Sequence, residues 1–245
     1  MKLFDAAIRN YWEYYLELES EFFETKRYVQ FDERNNTTFS VEFLKLFQAV
    51  CSEIDVVGKR IASIIDPNFN TKKCKNIYQW WIEIQDTLFI NTNIRDFFID
   101  DKNKKQLKDI SIMNYVVDKE YCPWANFAVE RYIDAKGSNR IRTIQGTKIP
   151  SWWSEYNDVK HHRAETTKEG VYNFLKANLH NVLNSIAALY LLELAILELS
   201  ANDSDDCEHF KNESKLFKKD GLVSRNDIDK LFSLNKQEKR GTHAV

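Results

Sequence analysis

Glycine and proline are scarce in this chain, with six glycines and three prolines among 245 residues. Both residues mark the turns between strands, and a fold of many short strands needs more of them. Their scarcity therefore argues against a many-stranded β protein and favours helices. Because 43% of the residues are hydrophobic and 13% are aromatic, the chain can bury a sizeable core, which excludes wholesale disorder.

A strong net charge and closely spaced cysteines are also missing. The formal net charge is -2, so no global basic field indicates nucleic-acid binding, and any such binding must be local. The cysteines Cys51, Cys74, Cys122 and Cys207 lie far apart, and no C-x-x-C pair suggests a zinc site or a redox couple. We expect them to be buried free thiols in a reducing cytoplasm.

The chain has no uninterrupted apolar run of membrane-spanning length. Its first residues, MKLFDAAIRNYWEYY, carry charges within the apolar pattern and so differ from a signal peptide. The most hydrophobic segment, residues 182–199, is interrupted by Asn184, Ser185, Glu193 and Glu198, which indicates a buried helix. We therefore expect a soluble, cytoplasmic protein with no membrane partner.

Helical periodicity, in contrast, is abundant. Apolar residues in the N-terminal segment alternate in steps of four and three, which predicts one long helix over residues 3–27. The members of this stripe are Phe4, Ile8, Tyr11, Tyr15, Leu18 and Phe22. A second helix is predicted to follow the N-cap Ser40 and to end before Pro67. Gly58 lies in the apolar seam of that helix and weakens it, so it indicates a close approach by another helix.

The rest of the pattern defines the predicted fold class. A third helix, or two short ones, is predicted over residues 76–89, and a long apolar helix over 171–199. Between them, a Gly-Ser-Asn turn followed by alternating residues favours a short hairpin. We predict an all-α (mainly α) fold, a helical bundle with an irregular or small β-hairpin insertion around residues 120–150.

The predicted domain organisation is simple. One helical-bundle domain covers residues 1–200, with the insertion at about 101–150. Residues 201–245 form a C-terminal extension with a short helix, for which Ser224 and Asp227 have capping-box spacing.

Basic residues are concentrated in one segment, residues 131–148, which holds five of them and a single acidic residue. Such a local patch can contact the phosphates of a nucleic acid. The candidate nucleic-acid-binding residues are Arg131, Arg140, Arg142 and Lys148.

The segment SWWSEYNDVKHHR, which begins at Ser151, follows directly. If a helix is capped at that serine, Asn157 and His161 lie four residues apart on one face. By the same rule, Lys160 and Arg163 lie on the neighbouring face together with a tyrosine.

This grouping has a coherent chemistry if the substrate is RNA. His161 can remove the proton of a 2'-hydroxyl, since histidine is the side chain best suited to general base work near neutral pH. Lys160 or Arg163 can neutralise the negative charge of the phosphorane-like transition state. Asn157 can orient the imidazole or the phosphate, and no metal or cofactor is required.

A structural or purely binding role for these residues is the alternative. Tryptophan and tyrosine clusters usually form core, and a histidine near a helix start is more often packed or capped than catalytic. A metal site on the adjacent His161 and His162 is disfavoured, because neighbouring residues diverge by about 100° on a helix.

Two further groups of polar residues have structural interpretations. Glu53 and Asp55 are interpreted as surface pairs, with Lys59 four residues beyond Asp55, rather than as catalytic carboxylates. Several asparagines put a polar edge on the apolar helix. This edge either contacts the SWWSEYNDVKHHR helix or lines a cleft, and we expect the contact. The asparagines are Asn173, Asn178, Asn181 and Asn184.

The combination of YNDVKHHR with the following ANLHNVLNSIAALYLL resembles the motif region of HEPN-like helical domains, which occur in bacterial toxin, abortive-infection and phage-defence proteins. FSVEFLKLFQAVCSEIDVVGK resembles the helix that precedes this region in bacterial proteins of that sort. The resemblance covers residues 40–65 and 150–195. It implies a helical bundle that forms a homodimer, with the motifs of both subunits at one cleft, and a metal-independent ribonuclease activity.

On this resemblance, Asn157 and His161 correspond to the polar residue and the histidine of the active motif. The arginine that should precede the polar residue is absent, since Tyr156 stands there. Either Arg163, Lys160 or a base from residues 131–148 replaces it, or the protein binds RNA without cutting it. The alternative from a different class is a non-enzymatic helical module that binds a protein partner.

Overall fold

The computed structural model describes residues 3–90, 110–112, 120–121, 123–124, 127–201 and 214–218. Helices dominate these residues, and an antiparallel two-stranded hairpin accompanies them. The predicted mainly α fold with a small hairpin is therefore confirmed.

The N-terminal helical segment runs through residues 3–27, as predicted, but it is not one regular helix. It consists of α1 (Leu3–Ala7), a π-helical turn (Ile8–Trp12), α2 (Glu13–Glu24) and a 3₁₀ turn (Thr25–Arg27).

The π turn changes which side chains face the core. Ala7 and Trp12 are buried, whereas Ile8 and Tyr11, which belong to the predicted stripe, are only half-buried. A π-helical turn contains five residues instead of four, and Ala7 and Trp12 are five apart. The buried stripe then continues with regular spacing through Tyr15.

The second helix, α3 (Val41–Ile65), begins and ends where the sequence predicts. The Ser40 hydroxyl accepts a hydrogen bond from the Phe43 amide at 3.0 Å, which is the expected N-cap. A Cβ atom on Gly58 would lie 2.7 Å from the Trp80 ring. Trp80 belongs to α4 (Ile77–Ile90), so the predicted close approach at Gly58 is confirmed.

Two further helices complete the bundle, α5 (Ser151–His162) and α6 (Leu179–Ser200). The prediction that the long helix begins at residue 171 is wrong. Asn178 adopts an extended backbone and accepts a hydrogen bond from the Asn181 amide at 3.1 Å, so it caps α6 at its start. A separate 3₁₀ turn, Asn173–Lys176, precedes it.

Helix α6 is the central core helix. Among the described residues it alone is long and apolar enough to cross a membrane by length and composition, and 83% of its apolar window is buried inside the structure. A buried core helix passes the same test, and α6 packs against α3 and the N-terminal helices.

The strands form two antiparallel sheets. In the first, β1 (Ile110–Ile112) lies between β2 (Glu120–Tyr121) and β5 (Phe217–Lys218). The second is the hairpin of β3 (Val129–Ile133) and β4 (Asn139–Thr143).

The hairpin is fixed to α4 by one buried side chain. The Gln85 amide nitrogen donates to the Val129 carbonyl at 2.7 Å, and the Val129 amide donates to the Gln85 carbonyl oxygen at 3.0 Å. At the other end of the hairpin Gly137 has a φ of 77°, a conformation that side chains with a Cβ rarely adopt.

Residues 214–218 also belong to the core. Leu216 and Phe217 are buried, and the Phe217 ring lies 5.6 Å from that of Tyr190 on α6. The buried Glu19 carboxylate on α2 accepts hydrogen bonds from the Lys215 amide at 2.8 Å and the Leu216 amide at 3.1 Å. This segment is thereby held against the bundle.

Two of the four cysteines lie among the described residues. Cys51 and Cys74 are buried free thiols, as expected. The other two cysteines, Cys122 and Cys207, lie outside the described residues, as does the predicted C-terminal helix with Ser224.

Candidate functional site

Helix α5 has a buried half that acts as scaffold. Trp152, Trp153, Tyr156 and Val159 are buried. The Trp152 indole donates to the Pro123 carbonyl at 2.8 Å, and the Tyr156 ring meets a phenylalanine of α3 edge-on. The two tryptophans therefore anchor the helix.

The start of α5 differs slightly from the prediction. Ser151 is the first helical residue and not the cap, since Pro150 occupies the N-cap position without a side-chain hydrogen bond. Proline's fixed φ suits the chain entering a helix. The faces predicted for the helix are unchanged, because they depend only on spacing.

The exposed half of α5 ends in a group of basic side chains, Lys160, His161 and Arg163, which we call the basic end of α5. The Lys160 ammonium lies 5.4 Å from the centre of the Tyr156 ring, as the predicted shared face requires. His161 and Arg163 form no hydrogen bond or ion pair with any described side chain. All three are available to a ligand from solvent.

Asn157 lies on the predicted face but is less available. It is half-buried, and its amide nitrogen donates to the Trp153 carbonyl one turn earlier at 3.1 Å. One of its two amide N–H donors therefore serves its own helix. His162 is also occupied, since its Nδ1 lies 3.0 Å from a carboxylate oxygen of Glu165.

The asparagine edge contacts α5 through two of its members. The Asn181 amide donates to the Glu155 carboxylate, and the Asn173 amide donates to the His162 carbonyl at 3.1 Å. Asn178 caps α6, and Asn184 bonds the His180 carbonyl within α6, so these two serve their own helix.

The arginines of the basic segment are paired with carboxylates. Arg131 bonds Glu83, Arg140 bonds Asp134 at 3.1 Å, and Arg142 bonds Glu130 at 2.9 Å. Exposed ion pairs of this kind contribute little free energy, so a phosphate can displace the carboxylates. No hydrogen bond or ion pair joins these arginines to the basic end of α5 within the described ranges.

Lys148, the fourth candidate of that segment, is exposed in the loop between the hairpin and α5. It forms no ion pair with a described residue.

Two buried carboxyl groups were not recognised from the sequence. Glu53 on α3 is 9% exposed, so its interpretation as a surface residue is wrong, whereas Asp55 does form the expected pair with Lys59 at 2.5 Å. Burial raises the pKa of Glu53 to about 7. Glu193 on α6 is fully buried, and neither of its carboxylate oxygens has a hydrogen-bond partner among the described residues.

The pKa of the Glu193 carboxyl is raised as well. Burial, followed by the nearby charge of Glu53, raises its pKa well above the usual range. The interruption of the apolar run by Glu193 was a visible signal, but a single sequence does not show which acid on α3 meets it.

A small cavity of about 190 Å³ lies between the N-terminal helices and helices α3 and α6. Tyr11 and Arg60 supply two of its polar walls. Burial raises the pKa of the Tyr11 hydroxyl, Arg60 lowers it, and Glu53 and Glu193 raise it further, which places both acids near this wall.

Metal ligands are sparse in the described part of the chain. It contains no group of three or more histidine, cysteine, aspartate or glutamate side chains that could hold a metal ion.

Known proteins do not identify the site. No family model, curated protein or solved structure significantly matches this chain.

Proposed function

We propose that this protein binds RNA at the basic end of α5 and acts as a HEPN-like, metal-independent ribonuclease in a bacterial or phage defence or toxin system. One observation carries the proposal: Lys160, His161 and Arg163 are all exposed at the end of α5, and no described carboxylate engages any of the three. An exposed imidazole that shares a helix end with two cations free of ion pairs suits a phosphodiester ligand.

The proposed reaction needs only these side chains. His161 takes the proton of a 2'-hydroxyl, and the 2'-oxygen attacks phosphorus while the bond from phosphorus to the 5'-oxygen breaks. The leaving 5'-oxygen takes a proton from solvent, which leaves a 2',3'-cyclic phosphate and a 5'-hydroxyl. Lys160 and Arg163 stabilise the charge that develops on the phosphoryl oxygens.

Arg163 takes the place of the arginine that the resemblance expects before Asn157. One of the two Asn157 amide N–H groups is bonded to the Trp153 carbonyl, so only the second N–H and the amide oxygen can contact RNA. That bond favours a second candidate function, a binding module without chemistry, whose partner is a protein or RNA that it does not cut.

The resemblance also leads us to propose a homodimer in which the basic ends of α5 from two copies meet. Sedimentation analysis of the full chain tests this, and a monomer at all accessible concentrations contradicts it.

Cleavage of a labelled single-stranded RNA in the presence of EDTA tests the activity. We expect the wild-type protein to cut, and the His161→Ala variant to lose at least about 100-fold in rate, since general base catalysis is typically worth that much. His162→Ala is the matched control, because that neighbouring imidazole already contacts Glu165.

Two results overturn the ribonuclease proposal. One is a wild-type protein that cuts no RNA, and the other is a His161→Ala variant that cuts as fast as wild type. RNA binding without cleavage, lost in Arg163→Ala, supports the binding module instead.

A further inference from the structure

The loop after α5 folds into a small hairpin that the sequence did not predict. Thr166 and Tyr172 form an antiparallel bridge, and the Thr167 amide donates to the Val171 carbonyl at 2.7 Å. Gly170 closes the turn with a φ of 79°, which residues with a Cβ rarely adopt. The loop therefore has a defined shape.

Buried Asn173 fastens this loop to the last turn of α5. Its backbone amide donates to the Glu165 carbonyl at 2.9 Å, and its side-chain amide donates to the His162 carbonyl at 3.1 Å. An ion pair of Lys176 with Asp158 at 2.6 Å adds a second link to α5. Residue 172 is thus held at the same end of the bundle as the basic end of α5.

Tyr172 in this loop has a partly exposed aromatic ring that packs against a second ring. Its ring stacks on that of Phe174, with 5.5 Å between centroids and 18° between planes, and the residue remains 49% exposed. Phe174 packs in turn against Phe39, whose ring centroid lies 5.2 Å away. Since Phe174 covers one face, the exposed area of the Tyr172 ring lies away from that contact.

This arrangement matches how proteins hold unpaired nucleotides. Such sites combine cations for the phosphates with aromatic rings on which bases stack, and each stacked base is worth about 1–3 kcal/mol. In a duplex the base faces are covered by neighbouring bases, so stacking on a protein ring selects single-stranded RNA.

We propose that Tyr172 is a stacking platform for an unpaired RNA base whose adjoining phosphates contact the basic end of α5. This inference rests on the proposed function, since it names the substrate of that same site as single-stranded RNA. It adds a residue, Tyr172, that the sequence motif does not contain.

Fluorescence anisotropy with the full-length protein tests the platform. The probes are a labelled single-stranded 2'-O-methyl RNA of about 12 nucleotides, which cannot be cleaved through its 2'-oxygen, and the same strand annealed to its complement. We expect preference for the single strand, and a loss of affinity of about 5- to 150-fold in Tyr172→Ala, which follows from the free energy of one stacked base. Tyr172→Phe keeps the ring and is expected to bind like wild type.

Tyr28→Ala is the matched control, because Tyr28 is another exposed tyrosine, 83% accessible, outside the loop. It is expected to retain affinity, and thermal unfolding of each variant verifies that its fold is intact. If the wild type binds RNA but Tyr172→Ala binds equally well, or if the duplex binds as tightly as the single strand, the platform is wrong while the proposed function stands. If the wild type binds neither probe, both proposals fail.

Discussion

At the scale of single residues, the most consequential feature is the pair of buried acids inside the bundle. Glu53 and Glu193 lie on facing helices, and neither Glu193 oxygen has a partner among the described residues. An ionised carboxylate is costly in such surroundings, so the folded state favours the protonated forms. The stability of the protein must then depend on pH.

The direction of that dependence follows from the raised pKa values. Between the ordinary pKa of 4.5 and about 7, folded Glu53 holds a proton that the unfolded chain has lost. The free energy of unfolding should therefore fall as pH rises through this window, by at most about 1.4 kcal/mol per pH unit for one proton. Urea denaturation at pH 5 and pH 8 measures it.

Comparing the stability of Glu53→Gln with that of wild type at both pH values isolates the contribution of this carboxyl group. The variant should be more stable than wild type at pH 8, and this advantage should shrink at pH 5, where wild-type Glu53 is protonated. Glu17→Gln, at an exposed position of α2, is the control. An advantage that is equal at both pH values would contradict the assignment.

At the scale of elements, helix packing depends on the contact between Gly58 and Trp80. Gly58→Ala should destabilise the protein by about 1–3 kcal/mol, because overpacking displaces the indole. The effect should appear although alanine is the better helix former by about 1 kcal/mol. Thermal unfolding measures it.

Ser52→Ala, at an exposed position of the same helix, controls for propensity alone. We expect that variant to be at least as stable as wild type. A Gly58→Ala variant that is also as stable as wild type would show that α3 and α4 can separate without cost.

The ends of a helix can be predicted from the sequence when neighbouring residues, such as a cap or a proline, determine them. The Ser40 cap and Pro67 define α3 locally, so its limits were predictable. The start of α6 was not, since Val171 and Phe174 continue an apolar pattern while the loop is determined by the Asn173 contacts with α5.

The candidate site could likewise be predicted only where it depends on local spacing. Spacing alone placed Asn157 and His161 on one face and Lys160 beside Tyr156. It could not reveal that the Asn157 amide bonds its own helix, nor that Tyr172 is brought to the same end, because both depend on tertiary contacts.

At the scale of the whole molecule, the segment 214–218 of the predicted C-terminal extension takes part in the core. It fills space beside Tyr190 and satisfies the Glu19 carboxylate, and β5 pairs with β1. A domain that ended at residue 200 would leave these groups uncovered.

A chain that ends after Ala201 should therefore be less stable than one that ends after Lys218, by more than about 3 kcal/mol. The loss of two buried apolar side chains, Leu216 and Phe217, accounts for most of this difference. Denaturant unfolding of the two chains measures it. Equal stability would show that the bundle folds without the segment.

The π turn at residues 8–12 bears on how this chain should be compared with any relative. Five residues complete a turn that ordinarily takes four, so the turn is equivalent to an insertion inside an unbroken helix. A relative with a regular helix here would align correctly only with a one-residue gap between Ala7 and Trp12. Without that gap, every core position before the turn would be matched to the wrong helix face.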